Sequence, residues 1–117
     1  MSARTALLIR CSKEEASAIH AQAARERRTV SAYVLNVMAR ALQLEAKLNT
    51  TPELARRLYS SITRDPGPRS AILVRCTIQE ARNVRGAARL RGATVSSFVL
   101  HALRRSWSAS AFVARPQ

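Results

Sequence analysis

Leu7-Leu8-Ile9-Arg10-Cys11-Ser12 is the stretch that decides the fold, because it returns as Ile72-Leu73-Val74-Arg75-Cys76-Thr77. A shift of 65 positions lays Arg4–Leu42 over Arg69–Trp107 without a gap, and 14 of those 39 pairs are identical. Among the identities are Arg10/Arg75, Cys11/Cys76, Glu15/Glu80, Thr29/Thr94, Val30/Val95 and Ser31/Ser96. Most of the other pairs exchange like for like, as Ile9/Val74, Ile19/Val84 and Tyr33/Phe98 do. An internal repeat settles architecture before any other signal. At about 40 residues each copy lies at the limit below which a segment rarely buries enough surface to fold alone. The two copies must therefore share a core.

Within each copy the quoted stretch alternates, which is the pattern of a short strand over Thr5–Cys11. Leu7, Ile9 and Cys11 share one face; Ala6, Leu8 and Arg10 share the other. Burying the second set would place Arg10 in the core without a partner, at high cost. The first set therefore faces inward. Ser12-Lys13-Glu14-Glu15 then reads as a capping box, with Ser12 as N-cap and Glu15 reaching back, and Thr77-Ile78-Gln79-Glu80 repeats it. The helix it opens runs to about Glu26, with Ala16, Ile19 and Ala23 along one face and Ala81, Val84 and Ala88 as their counterparts. Arg27-Arg28 and Gly92-Ala93 break the pattern, Gly92 as a C-cap. A second helix starts at Thr29-Val30-Ser31 and again at Thr94-Val95-Ser96, with Thr as N-cap. Its apolar stripe is Val30, Val34, Val37, Met38, Ala41 and Leu42, matched by Val95, Val99, Ala102, Leu103 and Trp107.

These signals divide the chain into a first repeat (1–48), a connecting segment (49–68) and a second repeat with its tail (69–117), folded as one compact domain. Thr51-Pro52-Glu53 predicts a connecting helix from Pro52 to about Ile62, stopped by Asp65-Pro66-Gly67-Pro68. The tail Ser108–Gln117 is weakly patterned.

Charge supplies the functional signal. The 117 residues carry 20 Lys and Arg against 7 Asp and Glu, a net charge of +13, and nearly all the bases are Arg. A balance of that size points to a polyanion, and the guanidinium fork suits phosphates and guanine edges. A merely solvated basic surface would leave the repeat unexplained. No stretch reaches the roughly 20 apolar residues of a membrane span, and no signal peptide is visible, so no membrane contact is expected, and two Cys without other ligand clusters point most simply to a reducing cytoplasm.

A single short strand per unit leaves every strand with unpaired edges, and pairing the two as an antiparallel ribbon over four helices resolves this. In the alternating strand ending in Arg-Cys-Ser or Arg-Cys-Thr, the capped first helix and the Thr-Val-Ser start of the second, the chain resembles the ribbon-helix-helix DNA-binding superfamily of the Arc/MetJ/CopG type. The resemblance covers about two thirds of the chain, in two copies. It implies a mainly α fold with a two-stranded ribbon, the tandem units closing as an intramolecular pseudo-dimer. It further implies a bacterial-type repressor that inserts the ribbon into the major groove of double-stranded DNA. The base-reading positions it implies are Ala6, Leu8, Arg10, Ala71, Leu73 and Arg75. The phosphate-binding positions are Thr29, Val30, Ser31, Thr94, Val95 and Ser96 at the helix starts, with Arg4, Arg69, Lys13, Arg27 and Arg28 nearby. Family members place polar residues at most outward strand positions, whereas Ala and Leu hold two of three here. The leucines suit thymine methyl groups, or a protein face.

Other constellations carry less. A ribbon centred on Leu8/Leu73 sets Cys11 opposite Ser70 and Cys76 opposite Thr5. The two thiols are then roughly 20 Å apart, far beyond the ~7 Å Cα separation that a disulfide tolerates, so both are expected to be buried core thiols. His20 and His101 occupy unrelated repeat positions and lack a cluster for metal binding. No cofactor, metal site or catalytic residue is expected. Alternatives that the sequence leaves open are a plasmid-mobilisation accessory factor, an antitoxin-like adaptor with a protein partner on the 52–62 helix, self-association on DNA, and repeat pairing between chains.

Overall fold

The computed structural model describes residues 4–48, 51, 53, 54, 57 and 69–114, with backbone alone for 69 and 108–114. Its elements are β1 (Arg4–Ser12), α1 (Lys13–Arg25), α2 (Val30–Lys47), β2 (Arg69–Thr77), α3 (Ile78–Leu90) and α4 (Val95–Ala114). The fold is mainly helical, with one two-stranded antiparallel sheet formed by β1 and β2.

The register is centred on Leu8↔Leu73, with Cys11 opposite Ser70 and Thr5 opposite Cys76, the arrangement that a pseudo-twofold at this pair sets. Both cysteines are free and buried. Each strand is one residue longer at both ends than Thr5–Cys11, because the capping residues Ser12 and Thr77 still pair, with Arg69 and Arg4. Leu7, Ile9 and Cys11 are buried together with Ile72, Val74 and Cys76, while Leu8 and Leu73 are each 52% exposed. A one-residue slip would turn the whole apolar set outward, so burial of this face also specifies the register.

Both capping boxes form. Ser12 Oγ accepts from Glu15 N while Ser12 N donates to Glu15 Oε1, and Thr77 and Glu80 repeat the exchange. Ala16, Ile19 and Ala23 on α1, and Ala81, Val84, Ala87 and Ala88 on α3, seat these helices on the core. Thr29 Oγ1 caps α2 by accepting from Ala32 N, and Thr94 Oγ1 accepts from Ser97 N at the start of α4. The α1–α2 turn holds Arg27 at φ 54°, and the α3–α4 turn holds Gly92 at φ 64°. The same left-handed corner is thus built once from arginine and once from glycine, at equivalent repeat positions.

Packing crosses between the copies. α2 lies on β2 as well as on α1, α4 lies on β1 as well as on α3, and α2 packs against α4. Besides Ala87 and Leu100, the core contains two aromatic residues outside the predicted stripes, Tyr33 (2% exposed) and Phe98 (0%). They occupy equivalent places and face inward because the α2 and α4 stripes are wider than a narrow i, i+4 seam. Trp107 is partly buried, and its indole N–H donates to Tyr33 Oη at 2.7 Å. Among the described residues, two ion pairs also join first-copy acids to second-copy arginines. Arg104 on α4 reaches Glu15 on α1, with Nε donating to Oε2 at 2.9 Å, and Arg91 after α3 pairs with Glu45 on α2.

The weakly patterned tail is helical through Ala114, since Ser108–Ala114 contains neither Gly nor Pro to end α4. Most of the expected Pro52–Ile62 helix lies outside the described residues. Within it Glu53, Leu54 and Arg57 are helical, and Thr51 Oγ1 accepts from Leu54 N at 3.2 Å, as its N-cap reading requires.

Candidate nucleic-acid interface

The outward face of the ribbon carries Arg4, Ala6, Leu8 and Arg10 from β1, with Ala71, Leu73 and Arg75 from β2. Leu8 and Leu73 stand directly opposite each other at its centre. Arg10 pairs with Ala71 at one end and Arg75 with Ala6 at the other, and both arginines are exposed. The two guanidinium-bearing positions are therefore four residue steps apart along the ribbon, about 13 Å. Arg69 lies opposite Ser12 in the pairing.

The helix starts join this face through contacts that the sequence does not announce. Arg10 N donates to Ser96 Oγ at 2.9 Å, and Arg75 N donates to Ser31 Oγ at 2.8 Å. Both amides point outward from the ribbon edges, so the Leu8–Leu73 pair is of the closer, non-hydrogen-bonded kind. Each Thr-Val-Ser start thus lies along the edge of the strand from the other copy. Thr94-Val95-Ser96 flanks Arg10, and Thr29-Val30-Ser31 flanks Arg75.

This geometry refines the role expected of the serines. Ser31 and Ser96 are phosphate candidates by resemblance, yet each oxygen already accepts a ribbon amide. Each keeps its O–H for donation. By α-helix geometry the Val30 and Ser31 amides, and those of Val95 and Ser96, have no acceptor within their own helix. With the positive end of the dipole behind them, these groups suit an anion. The Thr29 and Thr94 oxygens are committed to capping.

The remaining cations are distributed unevenly. Lys13 is exposed at the first position of α1, and Arg4 is exposed at the start of β1. Arg27 and Arg28 immediately precede the α2 cap. Arg28 Nε approaches Glu26 Oε1 at 3.5 Å across an exposed surface, an arrangement that contributes little to stability. Gly92 and Ala93 hold the equivalent places before α4, so the two edges of the interface differ in charge.

The thiols lie on the opposite, inward face. Burial first, and then the nearby Glu15 carboxylate, push the Cys11 thiol above its ordinary value; burial and Glu80 do the same for Cys76. Among the described residues, no three or more of His, Cys, Asp and Glu are grouped so as to hold a metal ion. No helix there is long and apolar enough to cross a membrane. In comparisons with known proteins, no family model, no curated protein and no solved structure matches the chain.

Proposed function

We propose that this chain is a DNA-binding protein of the ribbon-helix-helix type, its two copies closed as a pseudo-dimer that inserts the β1–β2 ribbon into the major groove. The observation that carries this reading is the alignment of Arg10, Leu8, Leu73 and Arg75 on one exposed ribbon face, with a Thr-Val-Ser helix start on each edge. The net charge of +13 supplies the long-range attraction. Arginine–phosphate contacts release counterions and provide most of the affinity. Arg10 and Arg75 read guanine edges bidentately, at about 1–3 kcal/mol of discrimination each.

The pairing also suggests the form of the target. Arginines about 13 Å apart along the ribbon correspond to guanines about four base pairs apart at ~3.4 Å per step. Because the strands run in opposite directions, the guanines belong on opposite DNA strands. Leu8 and Leu73 between them favour thymine methyl groups. The uneven Arg27-Arg28 edge favours an imperfect palindrome. Transcriptional repression is the role that such a site serves best.

Pairing of copy one with copy two is supported by groups that occur only once. Tyr33 has Phe98 as its repeat counterpart, and Trp107 has Leu42, so the Trp107–Tyr33 hydrogen bond needs one copy of each kind.

The test is selection of duplexes from a random pool, followed by anisotropy titrations of the selected duplex across salt for wild type and Arg10→Ala/Arg75→Ala. The expected result is an enriched inverted repeat that the double variant no longer prefers, with a nearly unchanged salt slope. Tight, motif-free binding by both would reduce the protein to an architectural binder. A second reading, a protein-binding adaptor, is favoured by the exposed Leu8–Leu73 pair. No DNA binding at moderate salt, together with a stoichiometric partner lost on Leu8→Ser/Leu73→Ser, would put that reading first.

A further inference from the structure

A cleft of about 220 Å³ opens between α2 and α4, two to four turns beyond the helix starts that hold the ribbon. Val37, Ala41 and Leu44 of α2 and Ala102 of α4 give it a largely apolar lining, and Arg40 and Arg105 stand at its wall. These two arginines are repeat counterparts and both are exposed. Neither has a hydrogen-bond or ion-pair partner among the described residues. Glu45, the acid on the same wall, is paired with Arg91. The surroundings are electropositive. Burial, then Arg105 and Arg104, lower the affinity of nearby His101 for a proton, opposed by Glu45.

Two unpaired guanidinium groups over an apolar floor define a chemistry. Phosphate alone would leave the floor unused, and a duplex backbone cannot enter a concavity of this size. The volume lies below the ~300–1,000 Å³ typical of drug-sized sites, which limits the occupant to a small molecule. Leu44, 48% exposed at the rim, leaves apolar surface that such an occupant would cover.

We propose that the α2–α4 cleft binds a small amphipathic carboxylate, its charged group paired with Arg40 and Arg105 and its hydrocarbon or aromatic body lying on Val37, Ala41, Leu44 and Ala102. The site does not depend on the DNA reading. It joins the two helices whose first turns hold the ribbon edges, so an occupant would act on both at once.

Amide NMR titration of the full chain with hexanoate and benzoate tests this, with acetate (charge without body) and hexanamide (body without charge) as controls. The expected result is saturable shifts at Ala41, Leu44, Ala102 and Ser106 for both carboxylates, and at least tenfold weaker binding of the controls. Arg40→Gln/Arg105→Gln should weaken the carboxylates at least tenfold while the melting temperature stays at its wild-type value. Absence of saturable shifts in the wild type, equal binding by the double variant, or shifts confined to the ribbon and other basic surfaces would overturn the proposal. Duplex titrations of the same samples report on the DNA reading separately.

Discussion

The main-chain amide of Arg10 donates to Ser96 Oγ, 86 positions later in the chain, and Arg75 N repeats the contact with Ser31. Each exposed edge of the ribbon is therefore closed partly by a hydroxyl from the helix that starts beside it. Ser31→Ala and Ser96→Ala should each lower unfolding free energy by about 1 kcal/mol, the usual net value of such a bond. Urea denaturation would show this. Hydrogen exchange should show the Arg10 amide losing protection only in the Ser96 variant, and the Arg75 amide only in the Ser31 variant.

The two left-handed corners make a reciprocal pair of predictions. Arg27 carries φ 54° with a side chain, whereas Gly92 carries φ 64° without one. Gly92→Ala should destabilise by about 1 kcal/mol and Arg27→Gly should stabilise by a similar amount, since only glycine adopts this region without steric cost. Thermal melts of the two variants should move in opposite directions.

Arg91 is held by three kinds of contact. It pairs with Glu45, donates through Nη1 to Ala87 O at 2.7 Å, and stacks over the Phe98 ring at 4.9 Å, with both ionic side chains largely screened from solvent. Arg91→Ala should cost about 2–4 kcal/mol, since it leaves the Glu45 carboxylate without this partner as well as losing the stacking. Arg104→Ala, at a more exposed pair, should cost less than about 1 kcal/mol. Chemical denaturation of the two variants orders them.

Alkaline pH should weaken the fold. Burial raises the thiols of Cys11 and Cys76 above their ordinary 9.0 and the Tyr33 phenol above its ordinary 10.0. The unfolded chain then loses these protons first, so the stabilisation is complete below about pH 9 and declines as pH rises beyond it. Urea midpoints should fall between pH 8 and pH 10.5, and less steeply in Cys11→Ala/Cys76→Ala when each is referred to its own value at pH 8. At pH 8 alkylation of both thiols should be at least tenfold slower than that of free cysteine and should accelerate with denaturant.

Much of this architecture is local and was legible in the residues. The strand faces, the capping boxes at Ser12 and Thr77 and the Thr29 and Thr94 caps all follow from alternation, side-chain chemistry and the repeat itself. The inward place of Tyr33 and Phe98 was not legible, because helical spacing alone does not say how wide a stripe the neighbouring elements will cover. The helix through Ala114 was not legible, because weak apolar patterning does not show that a helix continues where neither Gly nor Pro ends it.

For the candidate site the division is similar. By itself the sequence determined which residues lie on the outward ribbon face, because a strand has period two and Arg10 cannot be buried alone. It also determined that two helix starts carry the same Thr-Val-Ser. Only the tertiary structure decided that each start closes the edge of the other copy's strand, that Trp107 meets Tyr33, and that Arg40 and Arg105 share one cleft. Those contacts join residues tens of positions apart. Their formation depends on how two nearly equal halves pack, which no local pattern encodes.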